Sequence, residues 1–233
     1  MIRERIGHPM GGTMHKGKVS RSILTLTCFL SMMALVSQPA PAQAQKGIEL
    51  YNAWEFQAAE KVLREALKAN PQDIQASYYL GLCLLQQDKH EDALAVLLKA
   101  KEAKDKAGTK APTAPDTYQL QIALARAHLE LKKLPEAWQN LEAAKAAHAD
   151  TAELHVFRGA YYIQKPDVKK AISELNKAIE MDSHNAYARY YLGHAYLRDG
   201  NPAWAVDCFK EFLTLAPHAP EAPKAKALIE ALC

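Results

Sequence analysis

Small and apolar residues recur along the chain with a period of 34 residues. A small residue stands at the first position of the pattern, at Gly47, Gly81, Ala125, Gly159 and Gly193. An alanine follows twelve residues later, at Ala59, Ala93, Ala137, Ala171 and Ala205. A large apolar residue follows sixteen residues later, at Leu63, Leu97, Leu141, Leu175 and Phe209. One register fits all five sites with a single ten-residue insertion, so the sequence predicts five copies of one structural unit.

Apolar residues within each period are spaced by three, four and seven positions, which is typical of one buried stripe on each of two helices. The small residue and the alanine allow the two helix backbones to approach closely. Helix-breaking sequences such as Asn70-Pro71 and Ala216-Pro217 separate the units, and Asp199-Gly200-Asn201-Pro202 separates the helices of the last unit. No stretch shows the alternation of a strand, so we expect an all-α fold.

The recurring unit resembles the tetratricopeptide repeat (TPR), a helix-turn-helix of the same length. Residues 186–219 match it best. The matching residues there are Leu192-Gly193, Tyr196, Ala205, Phe209 and Pro217. The resemblance implies a right-handed superhelical α-solenoid of about five repeats that binds another polypeptide.

The register divides the chain into consecutive segments. We expect a signal peptide at 1–44, a shortened first repeat at 45–73, repeat 2 at 74–107, a flexible insertion at 108–117, repeat 3 at 118–151, repeat 4 at 152–185, repeat 5 at 186–219 and a capping helix at 220–233. The insertion belongs to a polar, proline-containing stretch from Glu102 to Pro115. Removal of the signal peptide would cost the first repeat its opening turn, so we expect a frayed helix there.

The N-terminal segment has the features of a secretory signal. Basic residues ending at Arg21 precede an uncharged run at 23–36, and Ala42-Gln43-Ala44 forms an A-x-A cleavage site. We expect cleavage after Ala44 and a periplasmic or secreted product. An uncleaved N-terminal anchor is the alternative, and Met14 is an alternative start to Met1.

Charge narrows the choice of partners. The net charge of the chain is +3, but residues 1–44 carry five basic residues and one acidic residue. The remaining residues therefore have a net charge of −1, with 24 basic and 25 acidic side chains. This balance favours neither nucleic acid nor an anionic membrane surface as a partner.

The first helices of stacked pairs line the concave side of a superhelix. Residues three before, one after and four after each small residue share one helix face, which we expect to line this groove with two flanking residues. The candidate binding residues are Tyr51, Tyr78, Leu82, Leu85, Ile122, Arg126, Tyr187, Tyr190, His194 and Arg198. This mainly apolar and aromatic set suits a peptide with apolar anchors. The alternatives are that single members only pack against neighbouring helices, and that the chain self-assembles by dimerisation or end-to-end stacking.

Some TPR proteins grip a C-terminal carboxylate with a clamp of lysine, arginine and asparagine. The corresponding positions here hold Tyr78, Leu82, Ile122 and Ala160. The resemblance therefore does not extend to that ligand class.

Residues with the chemistry of an active site are scattered. Cys83, Cys208 and Cys233 follow the predicted cleavage site without a C-x-x-C or zinc pattern. A Cys208–Cys233 disulfide is one interpretation in an oxidising compartment, and free thiols are the other. The chain has no nucleophile elbow, P-loop or dinucleotide motif. We therefore expect no enzymatic activity, no cofactor, no metal and no small-molecule substrate.

Overall fold

The computed structural model describes residues 40–108, 115–148 and 150–232. These residues form eleven α-helices and no strand. The helices are α1 (Ala40–Asn52), α2 (Phe56–Ala69), α3 (Ile74–Leu85), α4 (His90–Ala107), α5 (Thr117–Glu130), α6 (Leu134–Ala147), α7 (Ala152–Gln164), α8 (Val168–Met181), α9 (Ala186–Arg198), α10 (Pro202–Leu215) and α11 (Ala222–Leu232). The predicted all-α solenoid of five helix-turn-helix pairs and a closing helix is confirmed.

The pairs stack in chain order. The first helices α1, α3, α5, α7 and α9 each contact the first helix of the neighbouring pair, which builds one layer. Each second helix contacts the first helix of the following pair, and α11 packs on α10. This arrangement places the first helices side by side, as the repeat register predicts.

The small residues mark the closest approach within each pair. A Cβ atom at Gly81 would lie 2.5 Å from Leu97 Cγ, and one at Gly193 would lie 2.7 Å from Phe209 Cε1. Both distances are too short for ordinary packing, so the backbones come together only because these residues lack a side chain. In the third pair Ala125 occupies the same position and is fully buried.

Four of the five turns within the pairs use the same left-handed backbone position. This position comes seven residues after the small residue of each first helix. It holds Trp54, Asp88, Lys132 and Gly200, with φ of 64°, 57°, 56° and 78°. The fourth pair has Pro166 at this position, and a proline ring restricts φ to about −65°. A left-handed conformation costs a non-glycine residue about 1–2 kcal/mol, so Trp54, Asp88 and Lys132 are strained where Gly200 is not.

Side-chain caps define where the first helices begin. Asp73, Asp116, Thr151 and Asn185 each accept a hydrogen bond from the backbone N–H three residues later. Asp116 forms a complete capping box with Gln119. As a result, α5 begins at Thr117, one residue before the predicted start of repeat 3.

Helix α4 ends where the predicted insertion begins. The polar stretch from Glu102 is helical as far as Ala107, so its first six residues belong to α4, and the predicted insertion begins only at residue 108. Residues 109–114 of the insertion lie outside the described part of the chain.

Helix α1 begins at Ala40 and crosses the predicted cleavage site, with Ala44 only 4% exposed. A frayed first helix stays a prediction about the cleaved chain.

Within the described ranges, no helix has the length and apolarity needed to cross a membrane. The predicted signal peptide lies almost entirely outside those ranges, with residues 40–44 as the exception.

Candidate functional site

The concave face of the first helices holds two adjoining cavities. The first, which we call the central cavity, encloses about 300 Å³. It is lined by Leu85, Gln86, Asp88, His90, Arg126, Leu129, Glu130, Phe157, Ala160, Ile163, Gln164, Tyr190, Tyr191, His194, Arg198, Pro220, Glu221 and Lys224. The second, which we call the aromatic cavity, encloses about 320 Å³. It is lined by Tyr51, Gln86, Arg126, Glu153, Val156, Phe157, Asn185, Tyr187 and Tyr191.

Arg126, on α5, borders both cavities. Its Nη2 atom donates a hydrogen bond to Gln86 Oε1 at 3.0 Å and lies 3.9 Å from Glu221 Oε1. The side chain is only 18% exposed. Burial alone would lower the pKa of Arg126, but nearby Tyr191, Tyr187 and Glu221 outweigh it and raise that pKa. The guanidinium is therefore a permanent charge held in a defined position.

The segment that leads from α10 into the first turn of α11 contributes to the same face. Glu221 Oε2 accepts a hydrogen bond from Tyr187 Oη at 2.9 Å. Pro220, Glu221 and Lys224 all line the central cavity. The sequence register assigns this segment only to capping of the fifth pair, whereas the structure also brings it to the concave face.

Aromatic rings form much of the wall. Tyr51, in the wall of the aromatic cavity, packs against Tyr79 behind it, with ring centroids 5.4 Å apart. Tyr190 contacts Tyr191 at 5.5 Å and His194 at 4.7 Å. Such pairs bury large apolar surfaces while leaving polar tips accessible.

The hydroxyl groups of this wall stay protonated at neutral pH. Burial raises the pKa of Tyr190 to about 12 and raises those of Tyr51, Tyr187 and Tyr191 as well. Burial, followed by the charge of Arg198, lowers the pKa of His194. The groove therefore presents neutral hydrogen-bonding groups next to Arg126.

Glu153 supplies a carboxylate at the aromatic cavity. It lies in the first turn of α7 and is open to the groove, and desolvation by the surrounding protein raises its pKa. Arg126 opposes this rise. Among the described residues, Glu153 forms no ion pair. Its carboxylate oxygens are hydrogen-bond acceptors in the wall of this cavity.

Comparison with known proteins identifies the repeat. A family model described as tetratricopeptide repeat matches residues 45–108. A second, described as the second ARM domain of tetratricopeptide repeat protein 21, matches residues 94–232. The chain belongs to the TPR family. No curated protein matches its sequence.

Solved TPR structures share the fold. TTC0263 from Thermus thermophilus superposes with a TM-score of 0.64 at 23% identity, over 82% of this chain and 99% of that one. A chain of the APC/C hetero-tetramer Cut9-Hcn1 gives 0.67 at 18% identity, over 91% of this chain and 40% of that one. YrrB, described as a TPR protein with an unusual peptide-binding site, gives 0.50 at 18% identity, over 85% of this chain and 97% of that one.

Seven of the ten predicted residues line the cavities of this TPR array. They are Leu85, Arg126, Tyr190, His194 and Arg198 in the central cavity and Tyr51, Arg126 and Tyr187 in the aromatic one. The other three lie outside both linings. Ile122 is buried among core residues, and Leu82 and Tyr78 are half-buried against the core of the first pairs. A role in binding stays a prediction for the whole set.

The TPR groove also contains residues that the sequence did not single out. Gln86, Glu130 and Gln164 lie five residues after the small residue, Phe157 and Tyr191 lie two before it, and Glu153 lies six before it. These offsets continue the predicted stripe in steps of three and four, so they belong to a wider face of the same helices. The repeat register already contained this signal.

Groups suited to catalysis or metal binding do not converge in the described TPR array. Over residues 40–108, 115–148 and 150–232, no three His, Cys, Asp or Glu side chains form a potential metal site. Cys83 and Cys208 are buried free thiols, and burial raises their pKa to about 12 and about 11. Cys233 lies outside the described residues, so the disulfide with Cys208 and the free thiols both stay interpretations from the sequence.

Proposed function

We propose that this TPR chain is an exported scaffold or adaptor that binds a peptide segment of another protein in its concave groove. Its task would be the assembly or maintenance of an envelope or secreted complex. The observation that carries the binding role is the pair of adjoining cavities, which present aromatic faces beside hydrogen-bonding groups. TPR proteins act as protein-interaction scaffolds, and nothing in the described part of the chain indicates catalysis.

The chemistry of the groove favours a peptide over a small polar metabolite. Tyr51, Phe157 and Tyr191 offer broad apolar contact, while Gln86 and Asn185 offer amide donors and acceptors. An extended or helical peptide uses both kinds of group, because its side chains anchor in apolar pockets and its backbone needs hydrogen-bond partners. Among the solved neighbours, YrrB is described as having a peptide-binding site.

The test is selection of peptides from a random display library on the full chain, followed by affinity measurements on matched variants. Phe157 lines both cavities, whereas Trp204 is 57% exposed and lines neither. Loss of a central aromatic anchor costs about 2 kcal/mol or more, so Phe157→Ala should weaken binding at least about thirtyfold. Trp204→Ala should bind as the parent does. Equal binding by Phe157→Ala, with unchanged circular dichroism, would reject the groove as the binding surface.

Export is the second part of the proposal, and it is supported by the basic, apolar and A-x-A segments of residues 1–44. Mass spectrometry of the N-terminus from the producing cell tests it. A chain beginning at Gln45 in the exported fraction is the expected result. A chain retaining residues 1–44 in the cytosol would contradict it, and one retaining them in the membrane would indicate an anchor.

Self-assembly is a second candidate function, favoured by two exposed tryptophans in the end pairs. Trp54 in the first pair is 50% exposed, and Trp204 in the fifth is 57% exposed. Large exposed aromatic side chains are common at protein interfaces. Sedimentation velocity over a wide concentration range decides, because a strict monomer at every concentration excludes this alternative.

A further inference from the structure

The groove already holds a carboxylate of the chain itself. Glu221 follows the last repeat, yet its side chain is only 17% exposed and contacts Tyr187 and Arg126 on two different first helices. Arg126 in turn is hydrogen-bonded to Gln86 at the end of α3. One polar chain therefore connects the second, third and fifth pairs with the segment before α11.

The neighbouring Pro220 extends this contact toward the first pair. Pro220 lines the central cavity and also a third cavity, which it shares with Trp54, Phe56 and Gln87. Ala219 and Ala222 on either side are buried against the fifth pair. Residues 219–224, which we call the latch, thus pack on the fifth pair at one end and reach the third cavity, beside the turn of the first pair, through Pro220.

The polar contacts of the latch are few. Glu221 receives one hydrogen bond from a neutral hydroxyl, and its approach to Arg126 at 3.9 Å is longer than a charge-assisted hydrogen bond of about 2.7–2.9 Å. Arg126 therefore keeps donor capacity, and so a peptide carboxylate or carbonyl oxygen could take the place of Glu221 with no loss of hydrogen bonds.

We propose that the latch is an internal occupant of the groove, which a bound peptide must displace. This inference rests on the proposed peptide-binding function and adds its regulation. When only a fraction of the molecules is in the binding-competent state, the apparent affinity is the intrinsic affinity multiplied by that fraction. Opening the latch should therefore strengthen binding without any new contact to the peptide.

Glu221→Gln and Tyr187→Phe weaken the latch, and Glu230→Gln is the control. Glu230 is an exposed residue of α11, beyond the latch, and lines none of the cavities described. The first measurement is hydrogen exchange of the full chain at the Ala219, Ala222 and Ala225 amides, which donate to backbone carbonyls within and beside the latch. Exchange should be faster in Glu221→Gln and Tyr187→Phe and unchanged in Glu230→Gln. Equal exchange in all four chains would overturn the latch.

The second measurement is binding of the library-selected peptides to the same chains. Glu221→Gln should bind about tenfold more tightly than the parent if about one molecule in ten is open, and Glu230→Gln should match the parent. Equal or weaker binding by Glu221→Gln would overturn the latch while leaving peptide binding intact. Absence of peptide binding in every variant would instead reject the proposed function, and the latch with it, even if exchange is faster.

Discussion

The interface inside each helix pair and the concave face of the array follow opposite rules. Inside the pairs, the same kinds of residue recur five times, with a small residue facing Leu63, Leu97, Leu141, Leu175 or Phe209. On the concave face, equivalent positions differ from pair to pair, so that Leu82, Arg126, Ala160 and His194 occupy one slot.

This difference separates what folds the chain from what distinguishes it. A stacked array gains stability from many similar interfaces, each of which contacts only its neighbours. The concave face contributes less to packing than the interface inside each pair does. Its residues can therefore differ from one pair to the next and can suit a partner. Substitutions in the two regions should therefore have different consequences.

The largest loss of stability should follow from Leu175→Ala. Leu175 is fully buried against Gly159 in the fourth pair, and truncation of such a side chain costs about 2–5 kcal/mol. Urea unfolding followed by circular dichroism measures this cost. Leu98→Ala is the matched control, because Leu98 is 47% exposed and should lose less than about 0.5 kcal/mol. Similar losses for both variants would contradict the packing described.

Gly81→Ala tests the close approach itself. The added methyl group would lie 2.5 Å from Leu97 Cγ, and overpacking of this kind costs about 1–3 kcal/mol. The third pair already contains an alanine at this position, so Ala125→Gly should not stabilise the chain. A neutral Gly81→Ala in the same urea titration would show that the pairs can move apart freely.

The turn position gives a smaller effect. Gly200 has φ of 78°, and an alanine there should cost about 1 kcal/mol because its Cβ disfavours the left-handed region. Lys132 occupies the equivalent turn, and Lys132→Gly should change stability little, since relief of strain offsets the greater freedom of the unfolded chain. Thermal unfolding of both variants compares them. A stabilised Gly200→Ala would be the contrary result.

The smallest effect is expected on the concave face and concerns pH. The pKa of His194 is lower in the folded chain than the usual value near 6.5, because the ring is buried and close to Arg198. As the pH falls below about 6.5, the imidazole of His194 therefore binds a proton more readily in the unfolded chain than in the folded chain. The stability that the neutral ring contributes is present above that pH and is lost below it. His194→Gln should lose less stability than the parent between about pH 7 and pH 5. Urea unfolding of the parent and of His194→Gln at both pH values measures the difference, and an equal loss in the two chains would contradict it.

Periodicity predicted the fold well because it reports packing directly. The slots of Gly47, Ala59 and Leu63 are filled by small or apolar residues in every unit, and a constant 34-residue spacing with a single interruption is typical of stacked helix pairs. The candidate site was predicted less completely. The three chosen offsets found Arg126 and Tyr190 but not Glu153 or Phe157, because the concave face of a helix is wider than a narrow stripe.

His128 illustrates the same limit within the core. In the sequence it is only a departure from the tyrosine found at Tyr162 and Tyr196. In the structure its Nδ1 atom lies 2.8 Å from Asn140 Oδ1, and Asn140 Nδ2 donates to Gln121 Oε1 at 2.6 Å. A buried polar group needs such partners, and residues twelve and nineteen positions apart meet only when two helices pack together.

The sequence by itself determined the helix pairs, their order and the small residues at their closest approach, because these follow from spacings of three, four and 34 residues. Tertiary structure decided which of the candidate side chains line the two cavities, and it alone decided that Glu221 enters the groove. Arg126 and Glu221 are 95 positions apart, so no local pattern relates them. Their approach depends on the small rotation added at every pair, which accumulates over three repeats and cannot be read from any one of them.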